Sequence, residues 1–86
     1  MIYTVIVPKP VQQQLDDLPN IVRDRVIAKI ALFAEDPLPP GAIKLQGYEN
    51  SYRIRIGDYR VVYEINDEES IVVLLRCKHR KDVYRT

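Results

Sequence analysis

The stretch SYRIRIGDYRVVYEI, residues 51–65, constrains the fold more than any other part of the chain. Apolar and polar residues alternate on both sides of Gly57-Asp58, and a period of two belongs to strands with one buried face. A Gly-X pair between two such runs is the signature of a two-residue type II′ hairpin loop. With that loop closed, Ile56 faces Tyr59, Ile54 faces Val61 and Tyr52 faces Tyr63, building one apolar face. The other face holds Arg53, Arg55, Arg60, Val62 and Glu64, and Arg55 falls directly opposite Arg60. Like charges opposed on an antiparallel pair cost a few tenths to about 1 kcal/mol. Folding gains nothing from that pairing, whereas a bound anion would turn it into a chelate, and the planar guanidinium suits phosphate. The plain alternative is a solvated polar face, which most one-sided antiparallel sheets show to water.

The remaining chain is readable around this hairpin. Residues 2–7, IYTVIV, are β-branched and aromatic and stop at Pro8, as a short first strand does. Val11, Leu15 and Leu18 then form one apolar stripe on a short helix that starts behind Pro8 and Pro10 and ends at Pro19. Asn20 is a natural N-cap for a second helix, Ile21 to Glu35, with Val22, Val26, Ile30 and Phe33 on one face, widened by Ile27 and Ala34. A two-residue joint makes the two an antiparallel helix hairpin. Residues 36–50 are too rich in proline and glycine for regular structure and long enough for a functional loop. A last strand, 71–77, follows a polar turn at 66–69. Its register stays open, because a four- or five-residue connection interchanges the faces of Leu75 and Arg76.

With 86 residues, 47% of them hydrophobic, the chain has room for one small core, so residues 1–86 are expected to form a single domain. Thirteen basic and twelve acidic residues nearly cancel, but their placement does not. Asp67, Glu68 and Glu69 cluster at one turn, while Arg76, Lys78, Arg80, Lys81 and Arg85 crowd the last segment. Cys77 is the sole cysteine and His79 the sole histidine, which excludes an intrachain disulfide and a zinc cluster built from this chain. The N-terminus lacks a basic n-region and its apolar run ends at Pro8, so a cytoplasmic location is expected.

Antiparallel order brings the end of the last strand to the Gly57-Asp58 end of the hairpin. Arg53, Arg55 and Arg60 therefore meet the segment KHRKDVYR, residues 78–85, in a basic cleft suited to a sugar-phosphate backbone. His79, the one imidazole of the chain, is a candidate to accept a proton there. Tyr52, Tyr59 and Tyr63 read as packing residues, and Cys77 as a small strand residue rather than a nucleophile.

The run KLQGYENSYRIRIGDYRVVYEI (44–65), followed by KHRKDVYR (78–85) and preceded by strand, helix hairpin and loop, resembles the RelE group of the RelE/ParE toxin superfamily. The resemblance covers essentially the whole chain. It implies an α+β fold in which an N-terminal strand and an antiparallel helix hairpin pack on an antiparallel sheet of about four strands, as in microbial ribonucleases. It also implies the toxin of a type II toxin–antitoxin system: a ribosome-dependent endoribonuclease that cleaves mRNA in the ribosomal A site, inhibits translation and is neutralised by a RelB-like antitoxin. In such enzymes the ribose 2′-hydroxyl attacks the adjacent phosphate, with no metal and no cofactor.

Carried over by position, Arg60 matches the arginine that grips the scissile phosphate, and His79, Arg80 and Tyr84 complete the implied catalytic set. Lys44, Arg53, Arg55, Arg76, Lys78 and Lys81 are the implied RNA-binding residues. Arg53 and Arg55 stand where some members have lysines, and Lys78 where a glycine is common. A guanidinium stays protonated and only binds charge. Proton abstraction then falls to His79, Tyr84 or Lys78, with Arg80 helping to hold the leaving oxygen, while Tyr84 stacks on a base. Two alternatives stand beside this reading: a ParE-like toxin that inhibits DNA gyrase without nuclease activity, and a non-catalytic RNA-binding module.

Overall fold

The computed structural model describes residues 2–79 and Lys81. A short strand β1 (Thr4–Ile6) leads into helices α1 (Lys9–Asp16) and α2 (Asn20–Leu32). Strands β2 (Ile43–Lys44), β3 (Ser51–Ile56), β4 (Tyr59–Asn66) and β5 (Ile71–His79) follow. Together the strands form one sheet in the order β1-β5-β4-β3-β2. Four of them are the strands expected from the sequence. The fifth, β2, is a two-residue strand inside the loop read as irregular, and β1 lies parallel to β5, which makes the sheet mixed.

Prolines set both helix starts. Pro8 and Pro19 occupy the positions just before α1 and α2 in extended geometry, and their carbonyls accept from Gln12 N–H (2.9 Å) and Arg23 N–H (2.8 Å). Pro19 thus takes the capping position expected of Asn20, which is already helical. Asn20 Oδ1 instead accepts from Arg23 Nη2 at 3.0 Å. The joint between the helices spans residues 17–19 rather than two residues.

Val11, Leu15, Leu18, Val26, Ile30 and Phe33 are buried against Ile54, Ile56, Val61, Tyr63, Ile65, Val72, Leu74 and Cys77. Ile27, expected to widen the α2 stripe, is instead exposed. Phe33 stacks on Tyr63 with ring centroids 4.3 Å apart, and the Tyr63 hydroxyl donates to the Pro37 carbonyl at 2.7 Å, pinning the start of the 36–50 loop. Ser70, with φ 55°, turns the chain into β5, and its carbonyl accepts from Thr4 N–H at 2.8 Å, which starts the parallel β1–β5 pairing. Beyond Val73 that pairing ends, and α1 takes over the flank of β5. There Gln14 Oε1 accepts from the Cys77 backbone N–H at 2.7 Å, satisfying a ladder donor that β1 no longer reaches. No helix among the described residues is long and apolar enough to cross a membrane.

Candidate nucleic-acid interface

The hairpin register is the one its alternation dictates: Ile56 opposite Tyr59, Ile54 opposite Val61, Tyr52 opposite Tyr63 and Arg55 opposite Arg60. Gly57 has φ +60°, and no other residue of the turn has positive φ, as a type II′ loop requires. Both helices cover the Tyr52–Ile54–Ile56 side. Arg53, Arg55 and Arg60 therefore project from the side that the helices leave open.

Strand β5 completes the array. Lys78 pairs with Arg60, and Arg76 pairs with Val62, so the cations form two rows across three strands. At the hairpin end the row reads Arg55–Arg60–Lys78. The next row, two residues along, reads Arg53–Val62–Arg76. A third row, Ser51–Glu64–Val73, carries the acid that bounds the basic surface. Backbone pairing sets three positive side chains abreast at about 4.8 Å strand spacing, and like charges placed opposite one another disfavour the pairing. Arg55 Nε donates to the Gly57 carbonyl at 2.9 Å, which lays this guanidinium along the turn and orients its fork.

The open register question resolves in an unexpected way. Between Val62 and Tyr63 the β4–β5 ladder shifts by one residue, so β5 carries a bulge at Leu75. A bulge interrupts the period of two. Leu74 and Cys77 both reach the core, while Leu75 and Arg76 both line the open face. Neither simple register would present both.

Other expected site residues lie apart from this grid. His79 pairs with Tyr59, the first core-side residue of β4, and their rings meet edge to face with centroids 5.1 Å apart. His79 Nδ1 accepts from the Lys81 backbone N–H at 3.2 Å, so a neutral ring in this arrangement carries its proton on Nε2. His79 thus stands around the end of the sheet from Arg60, while its neighbour Lys78 stands directly beside Arg60. Lys81 is exposed. Lys44 pairs with Tyr52 on the edge strand, and with Arg53 it lines a hollow of about 770 Å³ under the loop 43–49. Arg80 and Tyr84 lie outside the described residues. Cys77 is buried, and desolvation pushes its thiol up to about 11, consistent with a packing role. Among the described residues no three His, Cys, Asp or Glu side chains gather where they could hold a metal ion.

Sequence reasoning passed over a second hollow on the open face, of about 310 Å³, lined by Leu45, Tyr48, Ser51, Val62, Leu75 and Arg76. Its signal was an aromatic residue in LQGYEN immediately before the arginine hairpin, together with a leucine whose direction depends on the bulge.

Comparison with known proteins agrees with this architecture. A family model described as the ParE toxin of type II toxin-antitoxin systems, parDE, matches residues 5–84. Toxin RelG of Mycobacterium tuberculosis is 34% identical over 90 residues, covering 99% of each chain. A chain in the crystal structure of the archaeal RelE-RelB complex from Pyrococcus horikoshii superposes with a TM-score of 0.83 at 33% identity, covering 93% of this chain and 97% of that one. One in the intact RelBE toxin-antitoxin complex of E. coli does so with a TM-score of 0.77 at 25% identity, covering 90% and 95%. A match over most of the length, to a family model and to curated and solved relatives alike, means that the chain is a RelE-type member of the RelE/ParE superfamily of type II toxin–antitoxin toxins.

Proposed function

We propose that this toxin is a ribosome-dependent endoribonuclease that cuts mRNA in the A site, and that the row Arg55–Arg60–Lys78 is where the scissile phosphate lies. The observation that carries the reading is the register itself: it brings three cations abreast on a helix-free face, two of them guanidinium forks whose geometry suits phosphate. In the reaction, the 2′-oxygen of the ribose forms a bond to the neighbouring phosphorus as the bond from phosphorus to the 5′-oxygen breaks. The products are a 2′,3′-cyclic phosphate and a free 5′-hydroxyl. Negative charge accumulates on the non-bridging oxygens, and Arg60, at the centre of the row, stabilises it there. Arg53 and Arg55 bind the flanking backbone and move no proton.

His79 accepts the 2′-hydroxyl proton in this scheme, water supplies the proton that completes the 5′-hydroxyl while Arg80 holds the leaving oxygen, and Tyr84 stacks on a base. Lys78 is the second candidate for proton transfer, because the register sets it beside Arg60 whereas His79 packs on Tyr59. His79→Gln separates them: its cleavage rate falls and its pH profile flattens near neutrality if His79 is the base. An unchanged profile removes His79 and leaves the role to Lys78 or Tyr84.

The relatives known as complexes with RelB support a RelB-like antitoxin as the partner, and an acidic helical segment suits the basic face. The gyrase-directed alternative takes its support from the name of the matching family model. Mapping mRNA ends after incubation with programmed ribosomes decides between them. Discrete A-site breaks are expected; intact mRNA with inhibited gyrase supercoiling would establish the rival, and RNA binding without breaks the non-catalytic module.

A further inference from the structure

We propose that the hollow walled by Tyr48, Val62 and Leu75 seats one nucleobase of single-stranded RNA, with Arg76 holding that nucleotide's phosphate. The inference rests on the RNA-cleaving reading above and adds to it a base-contacting subsite beside the phosphate row.

The hollow is made by three unrelated devices that converge. First, Tyr48 N–H donates to the Leu45 carbonyl at 3.3 Å, closing a turn in which Gly47 has φ +88° and Gln46 has negative φ. That is a type II turn, and it presents Tyr48 outward with 64% of its surface exposed. Second, Val62 supplies the only apolar position in the two basic rows, and it is buried, so the floor at that point is apolar and uncharged. Third, the β5 bulge delivers Leu75, 44% exposed, together with Arg76 to the same face. A regular strand would have sent one of them to the core.

The chemistry of the lining selects the occupant. An aromatic ring, a leucine and a valine offer a flat apolar cleft, and the only charge among the lining residues is a guanidinium. A ligand that fits both has a planar apolar body joined to an anion, which is a nucleotide within a single strand. At about 310 Å³ the hollow is at the lower end of the roughly 300–1,000 Å³ range of ligand sites, enough for one base rather than for a protein segment. Its position also fits. The Arg53–Val62–Arg76 row lies two residues, about 7 Å, along the strands from the Arg60 row, so the seated base belongs to a nucleotide next to the scissile phosphate.

The test uses Tyr48→Ala, Tyr48→Phe and Arg76→Gln in the full chain, with a short single-stranded RNA. Its riboses are 2′-O-methylated, so that it cannot be cut, and it carries one 2-aminopurine, whose fluorescence is quenched on stacking. Wild type and Tyr48→Phe quench the probe. Tyr48→Ala does not, and it binds about tenfold more weakly with an unchanged salt slope, because ring stacking but no phosphate contact is lost. Arg76→Gln lowers the salt slope by about one. Equal binding by wild type and Tyr48→Ala, an equal loss in Tyr48→Phe, or no quenching by wild type would overturn the proposal. Running wild type and Tyr48→Ala in parallel on programmed ribosomes separates the two readings. Tyr48-dependent quenching with intact mRNA would keep the seat and remove the cleavage reading. Cleavage by both proteins at equal rates on every codon, with equal RNA binding, would keep cleavage and remove the seat.

Discussion

Two side chains, Cys77 and Tyr63, show how burial decides chemistry at the scale of one residue. Cys77 is flanked by Arg76 and Lys78, a neighbourhood that would favour a thiolate, yet desolvation pushes its thiol from 9.0 to about 11. Burial likewise pushes the Tyr63 phenol from 10.0 to about 12, assisted by the charge of Asp36. Both groups are held protonated in the fold and ionise earlier when the chain unfolds. Between pH 9 and 11 for Cys77, and 10 and 12 for Tyr63, the folded state therefore binds more protons than the unfolded one. Stability is full below these windows and falls as pH rises through them. Urea midpoints measured from pH 8 to 11.5 should decline above about pH 9, and Cys77→Ala should delay the onset of that decline. A midpoint that is flat over this range would contradict the burial assigned to both groups.

At the scale of elements, what was legible depended on whether a local pattern fixed the partner. The hairpin 51–65 was readable to the residue, because the alternation and Gly57 together leave one register. Gly57→Ala, forced to hold φ +60°, should lose about 1–2 kcal/mol, seen as a lower unfolding midpoint with the same folded spectrum. The bulge at Leu75 had no such signal: a run of Val, Leu and Arg reads equally well in two registers, and tertiary packing of Leu74 and Cys77 selects a third arrangement. Strand β2 was invisible because two residues carry no period, and the parallel β1–β5 pairing because its partner lies more than sixty residues away. The arginines of the site were legible as a charged face, whereas the place of His79 beside Tyr59 was not, since it depends on the β4–β5 register. Gln14 gives no signal in the sequence either, yet it completes the β5 ladder where β1 ends. Gln14→Ala leaves the Cys77 N–H without that partner and should cost about 1–3 kcal/mol in urea unfolding. Gln14→Glu, which keeps an acceptor, should recover most of it.

Across the whole molecule, the helices and the sheet divide the labour between two faces. The helix side carries the core, with Val26, Phe33, Val61, Tyr63, Val72 and Leu74 fully buried, and fixes the strand register. That register in turn sets Arg55, Arg60 and Lys78 abreast on the open side, so that the fold is what brings these three cations together. Arg60 occupies the middle of the row, with a cation on either side. Arg60→Ala and wild type should be compared for mRNA cleavage on programmed ribosomes, with circular dichroism and thermal unfolding to verify the fold. The expected result is a loss of about 10²–10³-fold in cleavage rate, the scale of one lost transition-state donor, with the fold intact. A folded Arg60→Ala protein that cuts at the wild-type rate would contradict the claim that this row holds the scissile phosphate.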